Sequence, residues 1–207
     1  MTQQARPTLQ AAFSEFLIEQ QIRGNSPATL RYYRLCIGFF AAYIGTDKPT
    51  GEITLYDLKS WYISLQDRGL SSVTVQSYVR AVRAFLTWCY NEEYTPECLP
   101  DRFKLPKAKR HAIDVLTDSE VRRLFSTFSG KSFIVLRNSC ICSLMLDSGL
   151  RKNEVTSLLL SRLHVAEGYV IVDGKGNKQR IVPIGLHTKK TLIRYLSVRP
   201  PYTAKDP

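Results

Sequence analysis

Little in this sequence of 207 residues can hold a metal or a covalent staple. The three histidines show no HExxH or zinc-finger spacing. The five cysteines, at 36, 89, 98, 140 and 142, are odd in number and lack CxxC spacing. A zinc site and a disulfide framework are thereby excluded, and no metal or other cofactor is expected. Nowhere do about 18 apolar residues run together, and Met1-Thr2-Gln3-Gln4-Ala5-Arg6 has no apolar signal core. These absences imply a reducing, cytoplasmic setting with no membrane partner. Internal repeats and low-complexity tracts are missing as well.

Acidic residues are scarce relative to basic ones: 18 Asp and Glu face 29 Lys and Arg, a formal net charge of +11. Residues 1–106 hold 11 basic and 10 acidic residues, so +10 of the excess lies in residues 107–207. A solubilising surface explains any single lysine, but so basic a half-chain favours a polyanionic partner. Apolar residues are plentiful. With 44% hydrophobic and 23% charged residues, the chain has the composition of a folded globular protein and the length for one large or two small cores.

Residues 1–95 carry four stretches of helical period. Leu9, Phe13, Phe16 and Leu17 fall on one face of the first. Ser26 followed by Pro27 is an N-cap with proline at the first helical position, and Leu30, Tyr33, Ile37 and Phe40 form the stripe of the second. Thr54 opens a third, with Leu55, Leu58, Tyr62 and Leu65 on one side, which stops near Gly69. A cap at Ser71 or Ser72 starts the longest, where Val75, Tyr78, Val79, Val82, Phe85, Leu86 and Cys89 keep a 3-4 spacing. Four such helices on short turns bury their stripes against one another as a bundle. Arg31 with Arg34, and Arg80 with Arg83, lie on the opposite faces. They are candidate phosphate contacts, and a solvated face explains them equally well.

Between Thr95 and Arg110, Pro96, Pro100 and Pro106 interrupt any helix, so residues 96–110 read as an interdomain linker. Lys107, Lys109 and Arg110 make it basic and are further candidate DNA contacts. A second domain then occupies 111–207. Thr117-Asp118-Ser119-Glu120 caps a helix through Leu124, and residues 131–147 form another, largely buried, that ends at Ser148-Gly149. A further helix begins around Arg151, with Val155, Leu158 and Leu159 inward. The period then changes: residues 169–172 and 181–184 are β-rich and flank a basic, glycine-rich tip, which is a hairpin with Pro183 suited to an edge strand. A last helix carries Leu192 and Leu196.

The tip fails as a nucleotide phosphate loop. Gly168 lies one residue too far upstream of Gly174-Lys175, and Gly176 stands where Ser or Thr would hold magnesium. What remains is Lys175 on a turn, backed by Lys178 and Arg180, able to reach a DNA groove or phosphate. A second constellation is Gly149-Leu150-Arg151-Lys152-Asn153-Glu154, in which Arg151 starts a helix and Glu154 shares its face three residues on. Two readings stay open here: an ordinary i, i+3 ion pair on the surface, or a guanidinium oriented by a carboxylate at a helix start, suited to a phosphate oxygen.

The string from Leu146 to Val155, followed at the right separation by the hairpin from Asp173 to Ile184, resembles the tyrosine recombinase or phage integrase family. Leu116-Thr117-Asp118-Ser119-Glu120 is similar to the opening of that family's catalytic domain, and the four helices before it look like its core-binding domain. The resemblance implies a mainly α fold with a small β component: an N-terminal four-helix, SAM-like core-binding domain over 1–95, then a truncated α+β integrase catalytic domain with a β-hairpin over 111–207. It matches Arg151 to the first catalytic arginine, Glu154 to its supporting acid and Lys175 to the hairpin lysine. In that family a tyrosine attacks a DNA phosphate to form a 3′-phosphotyrosyl link without a metal. Fixed cations such as Arg151 suit the charge on the nonbridging oxygens, and a lysine suits the departing 5′ oxygen.

Past the hairpin and the helix after it, the family's His-x-x-Arg motif and nucleophilic tyrosine have no match in these residues, and Tyr202 lacks the nucleophile's sequence context. The expectation is a site-specific recombination and integration protein that, over these 207 residues, binds duplex DNA as a monomer without cutting it. Other recombinase subunits are partners of a full-length protein. A noncatalytic DNA-binding regulator or decoy derived from an integrase is the alternative.

Overall fold

Four helices whose apolar stripes face one another open the computed structural model, which describes residues 6–105, 114–174 and 178–200. The chain divides into two compact units, residues 1–113 and 114–207. The first holds α1 (Leu9–Ile22), α2 (Pro27–Ile44), α3 (Leu55–Asp67) and α4 (Ser72–Asn91), the last three beginning at the caps expected of them. Thr8, Ser26, Thr54 and Ser71 each accept a hydrogen bond from a backbone N–H of the first helical turn. Thr54 and Asp57 complete a reciprocal capping box.

The bundle core is aromatic. Phe16 packs edge-on against Phe85 and Trp88, both with centroids 5.5 Å away, and Phe40 meets Trp61 at 5.1 Å. Two polar links close the unit: the Trp88 indole N–H donates to Glu19 at 2.8 Å, and the buried Thr50 hydroxyl reaches the carbonyls of Pro7 and Tyr94 at 3.1 Å each.

A short helix, α5 (Leu99–Arg102), lies inside the stretch read as linker, and Leu99 and Phe103 are buried in the bundle core. Proline is compatible with a first helical turn, where its missing N–H would lack a partner anyway, so Pro100, the second residue of this turn, does not prevent it. Lys107, Lys109 and Arg110 lie outside the described residues.

The second unit packs helices on a small sheet. Thr117 caps α6 (Asp118–Ser126) through another capping box, and α7 (Phe133–Ser148) ends at Gly149 in the left-handed conformation, φ +62°. Next come α8 (Lys152–Thr156), the 3-10 turn Leu160–Arg162, β1 (Leu163–His164), β2 (Tyr169–Asp173), β3 (Gln179–Pro183) and α9 (Leu186–Val198). The sheet is antiparallel in the order β1-β2-β3, so Pro183 stands on an edge strand as expected, and β1 is a third strand that its two residues do not announce. Val170, Val172 and Val182 point inward to Cys140, Leu144, Leu150 and Leu192.

Two helices differ from expectation. α7 is not largely buried: it packs on α9, while Ile134, Met145 and Leu146 on its other side are exposed. α8 stops after five residues, leaving Leu159 exposed. The architecture is mainly helical with a small sheet, and no helix among the described residues is long and apolar enough to cross a membrane.

Candidate nucleic-acid interface

The sharp turn between α7 and α8 creates the site. Gly149 adopts a positive φ that a side chain would oppose, and the next residue, Leu150, is buried in the core of the second unit. Anchored on both sides, the chain emerges at Arg151 in extended conformation, φ −74° and ψ 153°, and begins α8. The Arg151 side chain is 78% exposed. Just upstream, Asp147 accepts a hydrogen bond from the Gly185 N–H at 2.6 Å, tying the end of α7 to the start of α9. A Cβ on Gly185 would lie 2.8 Å from that carboxylate, so a side chain there would displace it.

Glu154 lies at the centre. Its carboxylate, 7% exposed, accepts four hydrogen bonds. Arg180 supplies two in a fork, Nη1 to Oε1 at 2.7 Å and Nη2 to Oε2 at 2.9 Å. Arg151 gives its backbone N–H at 2.8 Å and one guanidinium nitrogen at 3.2 Å. The Arg180 fork above all, then the Arg151 N–H, holds the Glu154 carboxyl at about 2, well below its usual 4.5, against the opposing effect of burial. Arg180 is raised in turn by the same pair.

The orienting carboxylate expected for Arg151 is therefore present, but its stronger partner is Arg180. Strand alternation carries the signal: Arg180 pairs across the ladder with Val172 and shares the inward face of β3 with Val182, whereas Ile181 points out. Lys178, just before β3, is exposed, and its carbonyl accepts a hydrogen bond from the Gly174 N–H at 2.7 Å. Lys175 lies outside the described residues. Asp173, on the other side of the tip, is ion-paired with Arg162.

A cleft of about 530 Å³ opens beside this cluster, lined by Arg151, Lys152, Asn153, Glu154 and Asp173. With only five residues in α8, a helix dipole adds little, so any hold on an anion comes from side-chain charge. On the first unit, Arg31, Arg34 and Arg80 are exposed on α2 and α4. Arg83 is half-buried, and its guanidinium donates to the Phe103 carbonyl, closing the end of α5 onto α4.

Residues 114–207 match the phage integrase family. Across both units, the chain is 32% identical over 178 residues to the tyrosine recombinase XerD of Oceanobacillus iheyensis, covering 84% of this chain and 60% of that protein. The chain is thus similar to tyrosine recombinases along most of its length, and its second unit carries the phage integrase match. It is also 30% identical to the tyrosine recombinase XerC of Bacillus pumilus, with 89% of this chain and 60% of the relative aligned. The chain spans about 60% of the length of these relatives.

Solved structures share its fold. A Tn1549 transposon integrase in complex with transposon right end DNA superposes with a TM-score of 0.76 at 17% identity, covering 95% of this chain and 67% of that one. A lambda integrase from a tetramer bound to a Holliday junction gives 0.73 at 18%, covering 90% and 56%.

The Glu154 geometry sets an acid response. Its folded value near about 2 lies below the usual 4.5, so the unfolded chain takes up this proton first as pH falls. The stabilisation is fully present above about 4.5 and is lost as pH falls through about 2. Following the β2 and β3 amide signals by NMR during acid titration, wild type is expected to lose the hairpin over this window, and Glu154→Gln to show a flatter response there. Equal responses would contradict the pairing.

Proposed function

We propose that this chain is a DNA-binding polypeptide of site-specific recombination, and that its 207 residues hold duplex DNA without cutting it. The observation that carries the reading is the cleft beside Arg151. Asp173 is paired with Arg162, and Glu154 is shared between Arg180 and Arg151, so the two acids face four cations, and the excess charge is presented by Lys152 and the 78% exposed Arg151 side chain. A phosphodiester oxygen is the ligand they suit.

Arg151 is proposed as the catalytic arginine of the family's phosphotyrosyl chemistry, Glu154 as its support and Lys175 as the proton donor to the departing 5′ oxygen. Lys178 extends the cationic surface along the hairpin. Arg31, Arg34 and Arg80 on the first unit, and Lys107, Lys109 and Arg110 in the joining segment, are proposed as phosphate contacts that set position rather than sequence. The arrangement proposed is a core-binding domain and a catalytic domain, working in the cytoplasm with further recombinase subunits in the assembled reaction. The DNA in the complexes of the Tn1549 and lambda integrases supports a duplex as the partner.

Binding to duplex DNA is expected to fall steeply with salt. With about five phosphates engaged, log K against log salt has a slope of roughly −4 to −5. Replacing Lys175 and Lys178 together by alanine flattens it by roughly 2. Binding indifferent to salt, or retained in full by residues 1–106 alone, would reject the reading.

Cations without a placed nucleophile leave binding alone. On a nicked duplex suicide substrate, neither the 207-residue chain nor its Tyr202→Phe variant is expected to give a covalent adduct on a denaturing gel. An adduct lost in Tyr202→Phe would show that a nucleophile is present after all.

A further inference from the structure

The cleft beside Arg151 contains two carboxylates, Glu154 and Asp173, and two cations, Arg151 and Lys152. These four cancel, and a neutral cleft has little hold on a phosphate. Each acid is taken instead by an arginine from outside the lining: Asp173 by Arg162, from the turn before β1, and Glu154 by Arg180, from β3. Two guanidiniums thus compete for Glu154. Arg180 presents its planar fork at 2.7 and 2.9 Å, whereas Arg151 offers one nitrogen at 3.2 Å. Two short charge-assisted bonds along a pre-organised fork outweigh one longer bond. Exposure agrees, since the Arg180 side chain is 40% exposed and that of Arg151 78%.

We infer that Arg180 is a positioning residue and not a phosphate contact: it takes the bidentate share of Glu154, so that the Arg151 guanidinium, held by one longer bond, stays largely exposed for a phosphodiester oxygen. The inference rests on the duplex binding proposed above. Without Arg180, Glu154 is a buried carboxylate whose nearest cation is Arg151, anchored to it already through the backbone N–H. A buried carboxylate left with too few partners is costly, so the Arg151 guanidinium trades its single bond for a full fork on the acid and the cleft loses its cation. Loss of one arginine from the hairpin thereby silences a second one at the α7–α8 turn.

The test is a salt series of binding to one mixed-sequence duplex. It compares wild type, Arg151→Ala, Arg180→Gln and the double variant, each with and without Glu154→Gln. Arg151→Ala is expected to lower the magnitude of the log-log slope by about 0.9, one phosphate contact. Arg180→Gln alone lowers it by the same about 0.9, and adding Arg151→Ala then changes nothing further. In the Glu154→Gln background no acid remains to capture Arg151. There Arg180→Gln has no effect, while Arg151→Ala again removes about 0.9.

Losses at Arg151 and Arg180 that add to about 1.8, with Glu154 intact or replaced, would make Arg180 a phosphate contact and overturn the inference. A steep wild-type slope untouched by Arg151→Ala overturns it as well. A wild-type chain that does not bind the duplex fails earlier, at the proposed function, and takes the inference with it. Should Arg180→Gln alone unfold the second unit, Glu154→Gln/Arg180→Gln carries the test, because paired amides replace the ion pair. Retention of the Arg151 contribution there supports the inference, and its loss overturns it.

Discussion

The Glu154 carboxylate holds the candidate site together. It is buried, it accepts four hydrogen bonds, and its donors come from two elements far apart in sequence: the start of α8 and the edge strand β3. Removing either arginine would leave a buried charge short of partners, which proteins tolerate poorly. The turn at Gly149, the buried Leu150 and the inward face of β3 all act to bring these groups to one point. The hairpin is thereby fixed to the α7–α8 turn by an ion pair as well as by valine packing.

Much of the fold was legible in the sequence because its signals are local. Ser26-Pro27, Thr54 and Thr117 announce helix starts through cap chemistry that needs only the next three residues, and the 3-4 spacing of Val75 through Cys89 shows which face of α4 is buried. The two strands and the edge position of Pro183 follow from a change of period and a missing N–H donor. Where a feature depends on partners distant in sequence, the same reading fell short. α5 was hidden by prolines that obstruct a helix interior but not its first turn. α7 is rich in apolar residues, yet composition does not say that one of its sides stays exposed. The bond between Asp147 and Gly185 joins residues with no pattern linking them.

Arg180 shows the limit most sharply. As a cation near a basic tip it reads as a DNA contact, and Glu154, three residues from Arg151, reads as that arginine's partner. The acid is in fact shared, with the bidentate share going to a residue 26 positions away. Alternation along β3 already puts Arg180 on the face of Val182, which was the available hint. The Arg151 turn and the hairpin both lie within the residues that match the phage integrase family. The geometry shows how they are joined: Asp173 is paired with Arg162, and Glu154 is shared between Arg180 and Arg151.

The claim that Arg151 meets the phosphate while Arg180 stays on Glu154 is tested most directly by nitrogen-detected NMR of the two guanidinium groups, before and after adding duplex DNA. The account predicts that the Arg151 signals shift and sharpen on binding, while those of Arg180 keep the restricted rotation of a forked ion pair in both states. Arg180 signals that move to a DNA-bound position while Arg151 stays unchanged would contradict it.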